Sequence, residues 1–284
     1  MKQFEALISL LDDSDKEVVE AVTGQFIKEG LQIIPQLEKI WERADNTMLQ
    51  ERLENVIHSI QFNITIENLS KWVKDGGNSL VEGVTYIAQS QFPGVQYDYI
   101  NGFFERMKSE FTTDLRMRAT AMEKMKIMNY VVFHIYQFSR NTQNFYSPQN
   151  SYINQVIETR KGSPLSLAII FLLIAEKLEL PIYGINFPNG FLIAYQNEFR
   201  HIDSDLAKDD VLFYANPYNK GAIVSHKDLE FYLKNNNIEY EERYFTPCTN
   251  IQIVQLLLSD LLVAYEKLGY LDKMDTIRKL IKVF

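Results

Sequence analysis

Cysteine occurs once in this chain of 284 residues, at Cys248. A single thiol excludes an internal disulfide framework and a cysteine-rich zinc site. A basic excess is also missing: 29 Lys and Arg stand against 37 Asp and Glu, for a formal net charge of -8. Nucleic-acid binding needs a cationic surface to displace phosphate counterions, so no nucleic-acid partner is expected. Long apolar runs are absent as well. The longest, Leu167 to Ala175, falls well short of the roughly 20 residues that a membrane-spanning helix needs. The start, Met1-Lys-Gln-Phe-Glu5, turns acidic by Asp12 without the apolar stretch of a secretory signal. The expectation is a soluble, cytoplasmic protein with no membrane partner.

What remains is a globular composition, 46% hydrophobic and 13% aromatic, in a chain long enough for one large core or two medium ones. Residues 1–140 read as helical. Leu7, Ile8, Leu10 and Leu11 form a first apolar face that stops at Asp12-Asp13. Ser14 or Asp15 then caps a helix carrying Val18, Val19, Val22, Phe26 and Ile27 at helical spacing. Gly30 is placed to end it with a left-handed residue. Ile33, Ile34, Leu37, Ile40 and Trp41 follow, and Asn46-Thr47 starts a face of Leu49, Leu53, Val56, Ile57 and Ile60. Further helices are expected over 66–75, 79–91, 96–110 and 114–139. Short helices joined by tight polar turns suggest antiparallel pairs like those of HEAT-type arrays.

The composition changes over Ser139–Asn150, a polar stretch rich in turn residues. A helix is expected at 151–160, then an apolar one at 164–178 that should run through the centre of its domain. Strand-like segments come next: Ile182–Phe187, Phe191–Tyr195, Phe199–Asp203 and Val211–Ala215. Helices return at Lys227–Asn235, Ile251–Leu268 and Tyr270–Val283, with Ala264-Tyr-Glu-Lys-Leu-Gly269 similar to the hinge of a tetratricopeptide unit. The fold class is therefore α+β and predominantly helical. Its expected domains are a helical 1–140, a core helix with a small antiparallel sheet over 141–246, and a helical hairpin over 247–284.

Four motifs carry a resemblance. They are Ser151-Tyr-Ile-Asn-Gln-Val-Ile157, Arg160-Lys-Gly-Ser-Pro-Leu-Ser-Leu-Ala168, Pro188-Asn-Gly-Phe-Leu192 and Asn216-Pro-Tyr-Asn-Lys-Gly221. Together they resemble the bacterial transglutaminase-like family that contains the Sir-type regulatory proteins, in which a helical leader precedes a papain-like core. An active member opens its core helix with Cys two residues after a Gly, because the helix amino terminus stabilises a thiolate. A His then shuttles the proton and an Asp orients it. In this register the three positions hold Pro164, Gly190 and Asn216. The resemblance thus implies the scaffold without its reactive side chains, and no metal or cofactor. Ser163, Pro164, Asn189, Gly190 and Asn216 are expected to border the former cleft, with a protein or peptide segment as the occupant.

The alternative is a hydrolase or acyltransferase with relocated machinery: Ser163 or Ser166 as nucleophile with His201 and Asp203. His201, Asp203 and Asp205 alternate along an expected strand and share a face, a spacing open to a divalent-metal site or a displaced acid–base pair, which solvated strand-end positions also explain. Ser163 is equally explained as a helix cap and Ser166 as a small packing residue. His58 and His134 fall in helical segments, and His226 sits beside the capping Ser225. Tyr130, Phe133, Tyr136, Phe138, Phe145 and Tyr146, with Tyr232, Tyr240, Tyr244 and Phe245, form an aromatic excess suited to a junction or a peptide groove.

Overall fold

The computed structural model describes residues 2–114, 119–197 and 210–284. Its contacts divide into two compact units, Met1–Lys71 with Gln89–Gly94, and Trp72–Ala88 with Val95–Phe284. The expected boundaries at 140 and 246 therefore both fall inside the second unit.

The first unit holds helices α1 (Lys2–Leu11), α2 (Lys16–Glu29), α3 (Ile34–Trp41) and most of α4 (Thr47–Lys74). Asp15 caps α2, its carboxylate accepting from Glu17 N at 2.9 Å. Leu11, Phe26, Leu37, Leu53, Val56 and Ile60 form the centre of its core. Arg52 ties the first turn down by donating to the carbonyls of Leu11 (2.7 Å) and Asp13 (2.5 Å). Two expectations change here. Gly30 does have a positive φ of 71°, but its ψ of -155° is not that of a left-handed helical residue, and a short 3-10 turn over Gly30–Ile33 follows it. The helices expected to end at Ile60 and to begin at 66 are one continuous helix, α4. Asn63, Thr65 and Asn68 look like punctuation, yet Thr65 spends its hydroxyl on the carbonyl of Gln61 one turn back (3.0 Å), which leaves the helix intact.

In the second unit come most of α5 (Leu80–Gln89), α6 (Tyr97–Asp114) and α7 (Ala121–Tyr130), the last opened by a Thr120–Glu123 capping box. The helix expected to reach 139 ends earlier: its aromatic stretch loosens into a π turn over Val131–Ile135, and Gln137 takes a φ of 57°. Two short parallel strands, β1 (Ser139–Arg140) and β2 (Lys161–Gly162), bracket α8 (Ile153–Thr159). Arg160 turns the chain between α8 and β2 with a φ of 58°. Its guanidinium is held over the rings of Phe103 (4.8 Å), Phe138 (5.1 Å) and Tyr136 (5.8 Å).

Helix α9 (Pro164–Leu178) is buried at every residue from Leu165 to Ala175. It packs against α6 on one side and against the sheet on the other. The sheet runs β3 (Ile182–Phe187), β4 (Gly190–Gln196), β5 (Val211–Asn216), β6 (Ala222–Val224), all antiparallel neighbours. Strand β6 was not expected; three residues are too few for a period-two pattern. The expected strand at Phe199–Asp203 lies outside the described residues. Helix α10 (His226–Asn235) covers the far face of the sheet, where Ile185, Leu192, Ala194 and Tyr214 meet Leu229, Leu233 and Phe245. Helices α11 (Asn250–Leu268) and α12 (Leu271–Ile281) pack on each other across Gly269, whose φ is 74°. Because α6 and α11 both pack on α9, residues on either side of the sheet region share its core. That is why the division at 140 and 246 does not follow the contacts.

Among the described residues, no helix is long and apolar enough to cross a membrane.

Candidate functional site

The start of α9 is over-determined. Ser163 accepts from Ser166 N (3.1 Å), and Ser166 Oγ accepts from Ser163 N (2.8 Å), so the two hydroxyls close a reciprocal cap. Pro164 occupies the first helical turn, where a missing N–H costs nothing. Gly162 is needed for closeness: a Cβ there would lie 2.5 Å from Ser166 Oγ and 3.1 Å from Leu167. The cap is anchored further by Ser163 N donating to the carbonyl of Asn150 (3.2 Å).

Asn150, itself buried, arranges the loop in front of this helix end. Its amide donates to the carbonyls of Asn144 (2.8 Å) and Phe145 (3.0 Å), and its oxygen accepts from Asn141 (2.9 Å). Phe145 and Tyr146 are thereby held with exposed rings in edge-to-face contact, 5.1 Å between centroids. Opposite them, the hairpin joining β3 to β4 turns through Pro188 and Asn189, with Asn189 at a φ of 62°. The third wall is α11, which presents Leu256, Asp260, Val263 and Ala264 at helical spacing.

These walls enclose a cavity of about 380 Å³ at the amino terminus of α9. A second cavity, of about 720 Å³, adjoins it and shares Asn186, Asn189, Gly190 and Leu256. Of the expected cleft residues, Ser163, Pro164, Asn189 and Gly190 line the smaller cavity. Asn216 does not. Register pairs Asn216 near Leu192 on the α10 side of the sheet, and its side chain caps the next turn by accepting from Asn219 N (3.2 Å). Ser166 is 1% exposed and tied into the cap. His201 and Asp203 lie outside the described residues. Cys248 lines the larger cavity, and burial pushes its thiol pKa up, away from a reactive thiolate. Neither cavity carries an imidazole among its described lining residues.

Asp260 is the feature that sequence reading missed. It is the lone charge in the run Ile251–Tyr265, and that isolation was the available signal. Its carboxylate keeps an open edge to solvent but is crowded by the cavity walls, and this enclosure pushes its pKa up to about 6. Among the described residues it makes no hydrogen bond or ion pair. Folding therefore favours the protonated form: the stabilising difference is whole below pH 3.8, the ordinary value, and is lost as pH rises through about 6. Asp260→Asn removes the ionisation. It should flatten stability between those values and raise it at pH 7 by no more than about 1 kcal/mol, solvent screening the rest. Urea denaturation at pH 4 and pH 7 checks this; an unchanged pH dependence would mean that Asp260 titrates normally.

With this geometry in view, sequence comparison assigns the class. The profile of the transglutaminase-like superfamily matches residues 100–259, more than half of the chain, and the chain belongs to that superfamily. It is 27% identical over 157 residues to a UPF0162 protein of Xylella fastidiosa, an alignment covering 55% of this chain and 52% of that one. A UPF0162 protein of Vibrio cholerae is 27% identical over 154 residues, covering 54% and 53%. F-box only protein 21 of Homo sapiens is 22% identical over 199 residues, covering 70% of this chain and 30% of that one. The chain thus spans about half the length of these UPF0162 relatives, and no solved structure matches it.

Proposed function

We propose that this chain is a non-catalytic member of the superfamily, close to the Sir-type regulatory proteins, whose two adjoining cavities form a groove for a segment of another protein. The observation that carries the reading is the lining at the amino terminus of α9. A proline stands where the family motif places its nucleophile, and the cavity it lines is walled by aromatics, without a thiol or imidazole among the described residues. Its rim of Phe145, Tyr146 and Val263 is exposed and apolar, the composition that favours capture of a peptide. Ser163 and Ser166, the nucleophiles of the hydrolase or acyltransferase alternative, hold the helix cap together. Neither hydroxyl has a base beside it among the described residues.

Gly190 offers the direct test. It belongs to both cavities, and a Cβ at this position would meet nothing within 4 Å. Gly190→Trp should therefore fold normally and obstruct the groove. Random 12-residue peptides selected by display on the wild-type chain should bind Gly190→Trp at least about tenfold more weakly, with an unchanged thermal midpoint. Peptides that bind both proteins equally would remove the groove from consideration. Labelling of a serine by a fluorophosphonate probe would restore the hydrolase reading.

A further inference from the structure

We propose that the smaller cavity recognises a basic side chain, so that the bound segment presents a lysine or arginine to Asp260 between apolar neighbours. This deepens the groove reading and rests on it. Three observations converge. First, the carboxylate of Asp260 is the one ionisable acid or base of Asp, Glu, Lys, Arg or His type among the described residues of this lining, and among the described residues no charged or hydrogen-bonding group shifts its pKa. Asp260 is exposed and lines the cavity together with Leu256, Val263 and Ala264, so its charge is accessible to a ligand.

Second, the walls suit the stem of a long basic side chain. Phe145, Tyr146, Leu165, Phe191, Leu256 and Val263 supply apolar and aromatic surface along which methylenes can lie while the charged head reaches the acid. Third, the lining offers hydrogen-bonding groups without competing charge. Ser151 is 4% exposed and lines the cavity. Asn186 adds a solvent-facing amide at the hairpin. Lys267 is the basic group nearest along α11, two turns beyond Asp260. Its ammonium lies 5.9 Å from the centre of the Tyr146 ring, which leaves Asp260 unneutralised. An acidic or phosphorylated segment would meet a carboxylate here and is disfavoured; a purely apolar one would leave it without compensation.

The test uses the full chain and two fluorescein-labelled degenerate peptide pools, each with apolar residues around a fixed centre. One pool is centred on lysine, the other on norleucine, which keeps the stem and removes the charge. Fluorescence anisotropy should show the lysine pool binding at least about tenfold tighter. Asp260→Asn, isosteric and uncharged, should bring it down to the norleucine pool. Val263→Trp, at an exposed position of the same wall, should abolish binding of both. Equal binding of the two pools, lost on Val263→Trp, overturns charge recognition and leaves the groove reading standing. Binding of neither pool, or binding that Val263→Trp does not touch, overturns both. Thermal midpoints of the two variants within a few degrees of wild type establish that they fold.

Discussion

Trp72→Ala should cost this protein about 3–5 kcal/mol of stability, the range for truncating a buried large aromatic. Trp72 is 4% exposed, and its Nε1 donates to the carbonyl of Ser79 at 2.9 Å. Its ring is wedged between backbone positions where only glycine fits. A Cβ on Gly83 would lie 2.7 Å and 2.9 Å from two ring carbons and 2.9 Å from a methyl of Val254; one on Gly77 would lie 3.2 Å from the ring. Gly83 sits inside α5, where alanine would gain about 1 kcal/mol in helix propensity. Overpacking against the ring costs about 1–3 kcal/mol, so Gly83→Ala should be net destabilising in the wild-type background. In the Trp72→Ala background its sign should reverse, because the methyl then enters the space the indole vacated. A double-mutant cycle by urea denaturation measures the coupling, expected at about 2 kcal/mol. Additive effects would mean that ring and glycine do not share one contact.

How much of this could be read from sequence depends on how local the determinants are. Helix α9 and strand β3 lie where they were expected because each carries several agreeing local signals. Ser163-Pro164 marks a helix start, a run without polar interruption marks a central helix, and Ile182–Phe187 is bounded by Pro181 and Pro188. The long α4 was expected as two helices, yet Asn63 and Thr65 between them do not interrupt it, and Thr65 bonds back to Gln61 within the turn. The aromatic run after Tyr130 kept a helical pattern past the point where the backbone loosens into a π turn and then Gln137 reverses it. Domain limits were hidden for a different reason. Polar composition at 139–150 marks a real loop, but α6 and α11 return to α9 from both sides of it. The candidate site shows the same split. Ser163, Pro164, Asn189 and Gly190 stand in motifs and could be named; Asp260 and the loop with Phe145 and Tyr146 join them only through the tertiary fold.

The largest chemical effect is expected from Pro164→Cys. Position 164 is the first helical residue of α9, lines an open cavity, and follows a cap that does not depend on its own side chain. A thiol placed there faces the unpaired amides and positive dipole end of a 15-residue helix, which lower a thiol pKa below the ordinary value of about 8.5. Cys248 is the internal reference, since burial moves its pKa the other way. Iodoacetamide at pH 7 should alkylate the introduced thiol at least about tenfold faster than Cys248, measured by mass spectrometry of the two peptides. Equal rates would show that the helix end does not activate a side chain at this position. A reactive thiol is not yet a catalyst, however, because acyl transfer also needs an oriented base. Adding Asn216→Asp to a Pro164→Cys/Gly190→His variant should leave turnover of a p-nitrophenyl ester no faster than with the thiol and imidazole alone. Residue 216 caps the 217–219 turn and lies outside the cavity lining, so a carboxylate there has no imidazole within reach to orient. Faster turnover by the triple variant would instead mean that the three positions converge in solution, and that this chain is separated from an active enzyme by its side chains alone.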